Sequence, residues 1–432
     1  MNVLRQSAPD FDTRLAALAA SGSLFDPEVE QRARAIVDAV RARGDEALVE
    51  FTARFDGAKL SAGEFAVSAA ELFQASLGTQ TGLRDALKQA HHNIALFARR
   101  SLRRNWSCRN SHGATVAEKF DPFTRVGIYI PGGTAPLVST ALMTVTLAKV
   151  AGCKEIVVCT PCGKDACVNP ALLLAARIAG ATEIYRVGGA QAIAAMALGT
   201  QTIGRVQKVF GPGNAYVVAA KRLLFGHVSV DLLPGPSELA VLADDSANAR
   251  HIAADLLAQA EHGSGHERVW LVTSSGRLLR AVEREVARQM PLLARRAFIA
   301  RALDANGWLI QVSSIEEGVA LVNRLAPEHC QIMARHARAL SARILTAGAI
   351  FLGSWSPTVL GDYVAGPSHT LPTGGAGASF AGLTVDQFQR RTSVVEYTKA
   401  SLRKALGTVQ EFARVEGLDA HGRSAAIRLE ER

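Results

Sequence analysis

At 432 residues the chain is long enough to bury two ordinary cores. A hydrophobic fraction of 48% with 6% aromatic residues is that of a globular protein, not of a disulfide-stapled miniature. No run of about 18 apolar residues reads as a membrane span, and the net charge of +9 suits anionic small molecules as well as nucleic acid.

The opening "MNVLRQSAPDFD" lacks a basic-then-apolar signal pattern, so the expected compartment is the cytoplasm. "DPEVEQRARAIVDAVRARG" predicts the first helix. Asp26 is its cap, Pro27 fits the first turn, Gly44 fits the exit, and Val29, Ala33, Ile36, Val37 and Val40 share a face. A mostly helical region is expected to about residue 120. Near its end, "FARRSLRRNWSCR" gathers Arg99, Arg100, Arg103, Arg104, Arg109 and Trp106. This is either a solvated helix end or an anion patch, and no nucleic-acid motif accompanies it.

Then the texture changes. "RVGIYIPGG", "EIVVCTP", "EIYRVGG" and "QKVFGPGN" are short β-rich runs ending in Gly or Pro, with helical runs between them. That alternation predicts right-handed βαβ units on a parallel sheet, with the glycines gathered at carboxyl strand ends, where such sheets bind ligands. Cys159, Cys162 and Cys167 cluster here, but no partner pair follows at zinc-finger spacing, and accidental thiols at a strand end are the simpler account. A second α/β series runs from "ELAVLAD" to "AGAIFLG". After it come a Gly/Pro/Ser-rich loop and a last amphipathic helix with Leu402, Leu406, Val409 and Phe412 on one side. The expected architecture is two α/β domains with small terminal arms.

The motifs leave several chemistries open. There is no G-x-G-x-x-G, no P-loop, no G-x-S-x-G elbow and no H-E-x-x-H, and nothing selects Ser237 or Ser368 as a hydrolase nucleophile. "PGG" (131–133), "VGGAQ" (187–191) and "FGPGNAY" (210–216) each bring backbone N–H groups near a strand end, as a phosphate site or as an ordinary turn. "AQAEHG" places Gln259 and His262 at i and i+3. "LGDYVAGPSH" adds Asp362 and His369, and "EGLDAHG" adds Glu416 and His421. Such nitrogen and oxygen donors without thiolate suit Zn²⁺ or Mn²⁺, although each alone is also an ordinary polar surface group. In "NRLAPEHCQIM", Glu328 and His329 stand side by side after Pro327, two proton-transfer groups at one expected loop.

In order and over nearly the full length, "VRARGDEALVEFTARFDG", "RVGIYIPGG", "VGGAQAIAA", "GPGNAYV", "GPSE", "QAEHG", "NRLAPEH", "GDY", "HTLPTGG" and "EGLDAHG" resemble the histidinol dehydrogenase family. The resemblance implies two incomplete Rossmann-like domains with small arms in an intertwined homodimer. It implies oxidation of L-histidinol to L-histidine through L-histidinal with two NAD⁺ and one zinc per site. Carried onto these positions, the zinc ligands are Gln259, His262, Asp362 and His421, and the catalytic pair is Glu328 and His329. Ser237, His369 and Glu416 join the ligands and His329 in contacting substrate, and Tyr129, Gln191 and Asn214 contact NAD⁺. Glu416 and His421 would serve the partner's site.

The expected domains are an arm over 1–25, a metal-bearing unit over 26–128 with 236–382, an NAD-binding unit over 129–235 and a tail over 383–432. "LLPGPSE", Ser368 and "HHNIALFARRSLRRNW" depart from the usual pattern, which leaves room for another small polar alcohol, such as a sulfonated diol, as substrate. A zinc hydrolase, of a different class, would act without NAD⁺.

Overall fold

The computed structural model describes residues 1–19, 26–132 and 137–430. Gly133 of the "PGG" turn and the end of the N-terminal arm lie outside those residues. Two parallel sheets carry the molecule. The five-stranded one runs, in spatial order, Glu183–Tyr185, Glu155–Cys159, Arg125–Tyr129, Lys208–Phe210 and Ser229–Val230. The six-stranded one runs Asn2–Arg5, Gly307–Gln311, Arg268–Thr273, Glu238–Ala243, His329–Met333 and Ala349–Leu352. In both, the order reverses beside a central strand, at Arg125–Tyr129 in one and at Glu238–Ala243 in the other. Crevices open at such reversals because consecutive crossovers leave in opposite directions.

Local signals behaved as their chemistry requires. The Asp26 carboxylate accepts from the Glu28 N–H at 2.8 Å and caps Pro27–Arg43, and Gly44 leaves that helix at φ +56°. The βαβ helices Val138–Ala151, Pro170–Ala179 and Gly189–Leu198 follow their strands. Among the described residues, no helix is long and apolar enough to cross a membrane.

Three expectations are corrected. The helical region ends at Ser101, and strands Trp106–Arg109 and Thr115–Pro122 follow. Thr115–Pro122 pairs antiparallel with Gln389–Glu396, a partner so distant in sequence that no local pattern could reveal it. Second, the helices of 27–101 pack on the five-stranded sheet, and do not form a unit with 236–382. Ile36, Val37, Leu48, Phe51 and Ile94 share one core with Ile128, Ile156 and Ile193. The six-stranded sheet has its own apolar layers on its two faces, around Leu256 and Val282 and around Trp270 and Val322. Third, the N-terminal arm begins as an edge strand of that sheet.

One buried ion pair ties the loop after Lys208–Phe210 to the fold. Lys221 and Asp231 side chains are wholly buried, 2.5 Å apart. Lys221 Nζ also donates to the Gly211 carbonyl, while Asp231 accepts the Gly211 N–H at 2.7 Å. Gly211 stands at φ +108°, and a Cβ there would lie 2.0 Å from the Tyr129 carbonyl oxygen, so only glycine fits. Replacing Asp231 by Ala strands a buried ammonium and should cost about 3–5 kcal/mol, read as a lowered denaturation midpoint. An unchanged midpoint would mean that the pair is dispensable.

Candidate active site

A cavity of about 960 Å³ lies between the two sheets. From the five-stranded sheet it takes Pro131 and residues 212–214, which follow the carboxyl ends of the strands flanking the reversal. From the six-stranded sheet it takes Ser237, Glu238, Arg268 and Glu328, which lie at amino ends. The carboxyl-end rule therefore holds for one sheet only. In a parallel α/β layer, helix C-termini gather at the amino ends of strands, and there the helix dipole is negative. Helix Ala249–Ala260 ends at this cavity, delivering Gln259 from its last turn and His262 just beyond.

The loop before strand His329–Met333 aims the proton-transfer pair. Helix Ile315–Leu325 stops at Ala326, held at φ +45°, a left-handed conformation unusual for a residue with a Cβ. His329 is the first strand residue and does not lie in a loop, and Glu328 occupies the bend before it. Both side chains are buried. The Glu238 N–H donates to Glu328 Oε2 at 2.8 Å, and the Glu238 carbonyl lies 3.0 Å from His329 Nδ1. A carbonyl only accepts, so Nδ1 carries the proton and Nε2 keeps its lone pair, 4.0 Å from Asp362 Oδ1. Burial lowers the His329 pKa against the opposing pull of Asp362, which favours the neutral ring. Burial, reinforced by the Glu238 and Asp362 charges, lifts the Glu328 carboxyl well above its ordinary range, while bonds from the Glu238 backbone and the Ser237 side chain oppose the shift.

The structure gathers Ser237, Gln259, His262, Glu328, Asp362, His369 and Asn214 around this one cavity. Gln259 Nε2 and His369 Nε2 are buried without a hydrogen-bond partner among the described residues. Asn214 also caps helix Ala215–Leu224, accepting from the Tyr216 and Val217 N–H groups at 3.1 and 3.2 Å. Tyr129 and Gln191 lie at the same carboxyl edge but outside the cavity lining. The Tyr129 hydroxyl accepts the Gly189 N–H at 3.0 Å, and both Gln191 amide atoms are unpartnered.

Glu416 and His421 are not brought to the cavity. They stand exposed on helices Lys399–Glu416 and Asp419–Ala426 of the tail. Sequence reasoning also missed Glu238. Buried, 3.6 Å from Arg268, it has a carboxyl pushed up to about 7 by burial. Its place in "GPSE", next to Ser237, was the available signal.

The other sequence features lie elsewhere. The six cysteines are unpaired, and burial raises the Cys159 and Cys162 thiols, the latter to about 11, which leaves them unreactive. Arg99, Arg100, Arg103, Arg104 and Trp106 line a separate concavity with Arg391.

The histidinol dehydrogenase family model matches residues 21–429. A histidinol dehydrogenase of Heliobacterium mobile is 43% identical over 94% of this chain and 95% of its own length, and one of Synechococcus sp. is 46% identical over 92% of each. The crystal structure of histidinol dehydrogenase from Elizabethkingia anophelis superposes with a TM-score of 0.94 at 34% identity, covering 99% of this chain and 98% of that one. The chain belongs to the histidinol dehydrogenase family. Histidinol dehydrogenases oxidise histidinol to histidine in histidine biosynthesis, so the chain is an oxidoreductase acting on a small molecule. Its mixed α/β fold with parallel sheets is that of a family member of known structure.

The raised Glu328 pKa has a sign that can be checked. Folding is penalised once pH climbs past the ordinary carboxylate value, and increasingly so until Glu328 ionises in the folded protein. Chelator-treated Glu328→Gln protein should therefore melt above the unsubstituted protein at about pH 8, with the gap closing near about pH 4. A gap of the same size at both pH values would contradict this.

Proposed function

We propose that this cavity oxidises L-histidinol to L-histidine through L-histidinal, with Zn²⁺ holding the substrate and NAD⁺ accepting both hydrides. The observation that carries the reading is the clamp on Glu328 and His329: it sets the Glu328 carboxylate on one wall of the cavity and, beside it, a buried base whose free lone pair faces Asp362 of the same lining.

The donor set fits a zinc ion. Gln259 carries a buried amide atom with no partner, a group whose need must be met from outside the chain's own fold. Its two amide termini are interchangeable by a flip, so either can face an ion. Gln259, His262 and Asp362 would hold Zn²⁺ at the negative end of helix Ala249–Ala260. Tetrahedral closure needs one more donor, and among the described residues no three His, Cys, Asp or Glu side chains group closely enough to hold a metal.

We assign that place to His421, and a substrate contact to Glu416, from the other subunit of a homodimer. The tail over 383–432 supports this reading: Phe412, Val415 and Leu418 are exposed beside these residues, apolar surface of the kind a second subunit covers. Bound there, Zn²⁺ would supply a positive centre that orients the imidazole and amine nitrogens of the substrate. For NAD⁺, the unpartnered Gln191 amide, the Tyr129 hydroxyl and Asn214 line the carboxyl edge of the five-stranded sheet, within 129–235. We assign the protein to the cytoplasm, a reading supported by its unpaired cysteines and its biosynthetic family.

The residues' tasks follow from their geometry. His329 Nε2 takes the alcohol proton as the first hydride leaves. Glu328, in its ionised form and held by the Glu238 N–H, takes a proton from the water that adds to the aldehyde. His329 returns its proton to the aldehyde oxygen as that water adds, then takes a hydroxyl proton of the resulting hydrate during the second hydride transfer, and the carboxylic acid is formed. Ser237 holds the Glu328 carboxyl, and His369 presents an unpartnered Nε2 to the substrate.

Two measurements test this reading. Purified zinc-loaded protein should release two NADH per L-histidinol, losing this on chelation. His329→Asn should cut kcat by about 10²–10⁴-fold with zinc content unchanged. Near-normal turnover in that variant would refute the base assignment. For the shared site, mixing His329→Asn with His421→Ala subunits should restore roughly a quarter of the rate, because half of randomly mixed dimers hold one intact site of two. No recovery after confirmed subunit exchange would mean that each site is built from one chain.

A further inference from the structure

The carboxyl edge of the five-stranded sheet holds polar atoms that the fold leaves unsatisfied. Asp56 follows helix Asp45–Phe55, and its own N–H is spent on the Thr52 carbonyl at 3.0 Å. Its Oδ2 is buried with no partner among the described residues. Gln191, 1% exposed, has neither amide atom partnered among the described residues. Tyr129 belongs to the same cluster. Asp56 is close enough to Tyr129 and Cys162 for its charge to oppose the ionisation of both. Burial pushes the Asp56 carboxyl up to about 6. Buried polar atoms without partners cost free energy, and several at one place mean that the complement comes from a ligand.

The backbone draws this place together. A Cβ on Gly132 or Gly188 would lie 2.3 or 2.6 Å from the Pro161 side chain, so the loops after three neighbouring strands meet closely. Gly57, at φ +71°, turns the chain just after Asp56 against Lys164 of the same loop region. In doubly wound dinucleotide sites, a carboxylate near the end of the second strand takes the adenosine ribose diol and rejects a 2′-phosphate. Here that strand, Glu155–Cys159, runs on into Thr160, Pro161 and Cys162 with no acid, and Asp165 further along the loop is engaged locally, accepting the Cys167 N–H at 3.1 Å. Asp56 reaches the position from a helix outside the sheet.

We propose that Asp56 accepts hydrogen bonds from the adenosine ribose hydroxyls of NAD⁺ and thereby selects NAD⁺ over NADP⁺. This rests on the reading that NAD⁺ lies along this edge. The adenosine end is assigned because the nicotinamide must reach the cavity holding Glu328, which is lined from this sheet by Pro131 and residues 212–214 and not by Asp56.

The test is steady-state kinetics of the full-length zinc-loaded enzyme with L-histidinol and three cofactors: NAD⁺, its 2′-deoxyadenosine analogue, and NADP⁺. In the unsubstituted enzyme the deoxy analogue should raise the cofactor KM about tenfold with kcat little changed. Asp56→Asn should raise the KM for NAD⁺ by a similar factor, abolish the further penalty of the analogue and improve kcat/KM for NADP⁺. The histidinol KM and the zinc content should not move.

An unsubstituted enzyme indifferent to the 2′-hydroxyl would overturn the proposal without any variant. A variant that loses NAD⁺ affinity but keeps the full analogue penalty would also overturn it, because the loss would then be structural. No turnover with NAD⁺ at all in the unsubstituted enzyme would overturn the cofactor reading itself, and this proposal with it.

Discussion

The site depends on one residue's backbone. The N–H of Glu238 holds the Glu328 carboxylate and its carbonyl lies against His329 Nδ1. These bonds exist because strand Glu238–Ala243 pairs in parallel with His329–Met333, setting Leu239 opposite His329. A slip of one residue would turn every side chain of the strand to the other face and leave the imidazole without its tautomer-fixing acceptor. Register is in turn held by burial on both faces of the sheet, where Val241 and Leu271 pack to one side and Leu242 and Ile332 to the other. The geometry of the Glu328–His329 pair and the packing of the core are thus the same constraint seen at two ranges.

The opposed polarity of the two sheets suits the function proposed for the cavity. A dinucleotide is held best where parallel strands end and helices begin, with N–H groups free. A cation is held best where helices end. Facing the carboxyl edge of one sheet with the amino edge of the other brings both environments to one cavity. The left-handed Ala326 and the glycine-only position at Gly211 are local costs of that meeting, met by the surrounding core and by the Lys221–Asp231 pair.

Some buried charges are paired, as Lys221 is with Asp231. Around the cavity and the adjoining sheet edge, Asp56, Gln191, Glu238, Gln259 and His369 each keep a buried atom unpartnered. A chain selected for stability alone would remove such atoms, so those at the facing sheet edges are where binding can supply what folding withholds.

Much of this was legible in the sequence because it is local. Strand–turn–helix alternation, the Asp26 cap, the Gly44 exit and the 259–262 spacing depend on residues a few positions apart, so they survive without knowledge of the fold. The motifs resembling the family placed Glu328, His329 and Asp362 together before any coordinate did. What the sequence alone could not decide is what depends on distant segments meeting. The pairing of Thr115–Pro122 with Gln389–Glu396, the seat of the 27–101 helices on the five-stranded sheet and the place of His329 inside a strand are of this kind. So are the roles of Glu238 and Asp56, ordinary acids in the sequence that become distinctive only when tertiary burial removes water from their carboxylates. Periodicity and turn chemistry act within one stretch of chain, whereas desolvation and register are properties of contacts between stretches, and those exist only in the folded molecule.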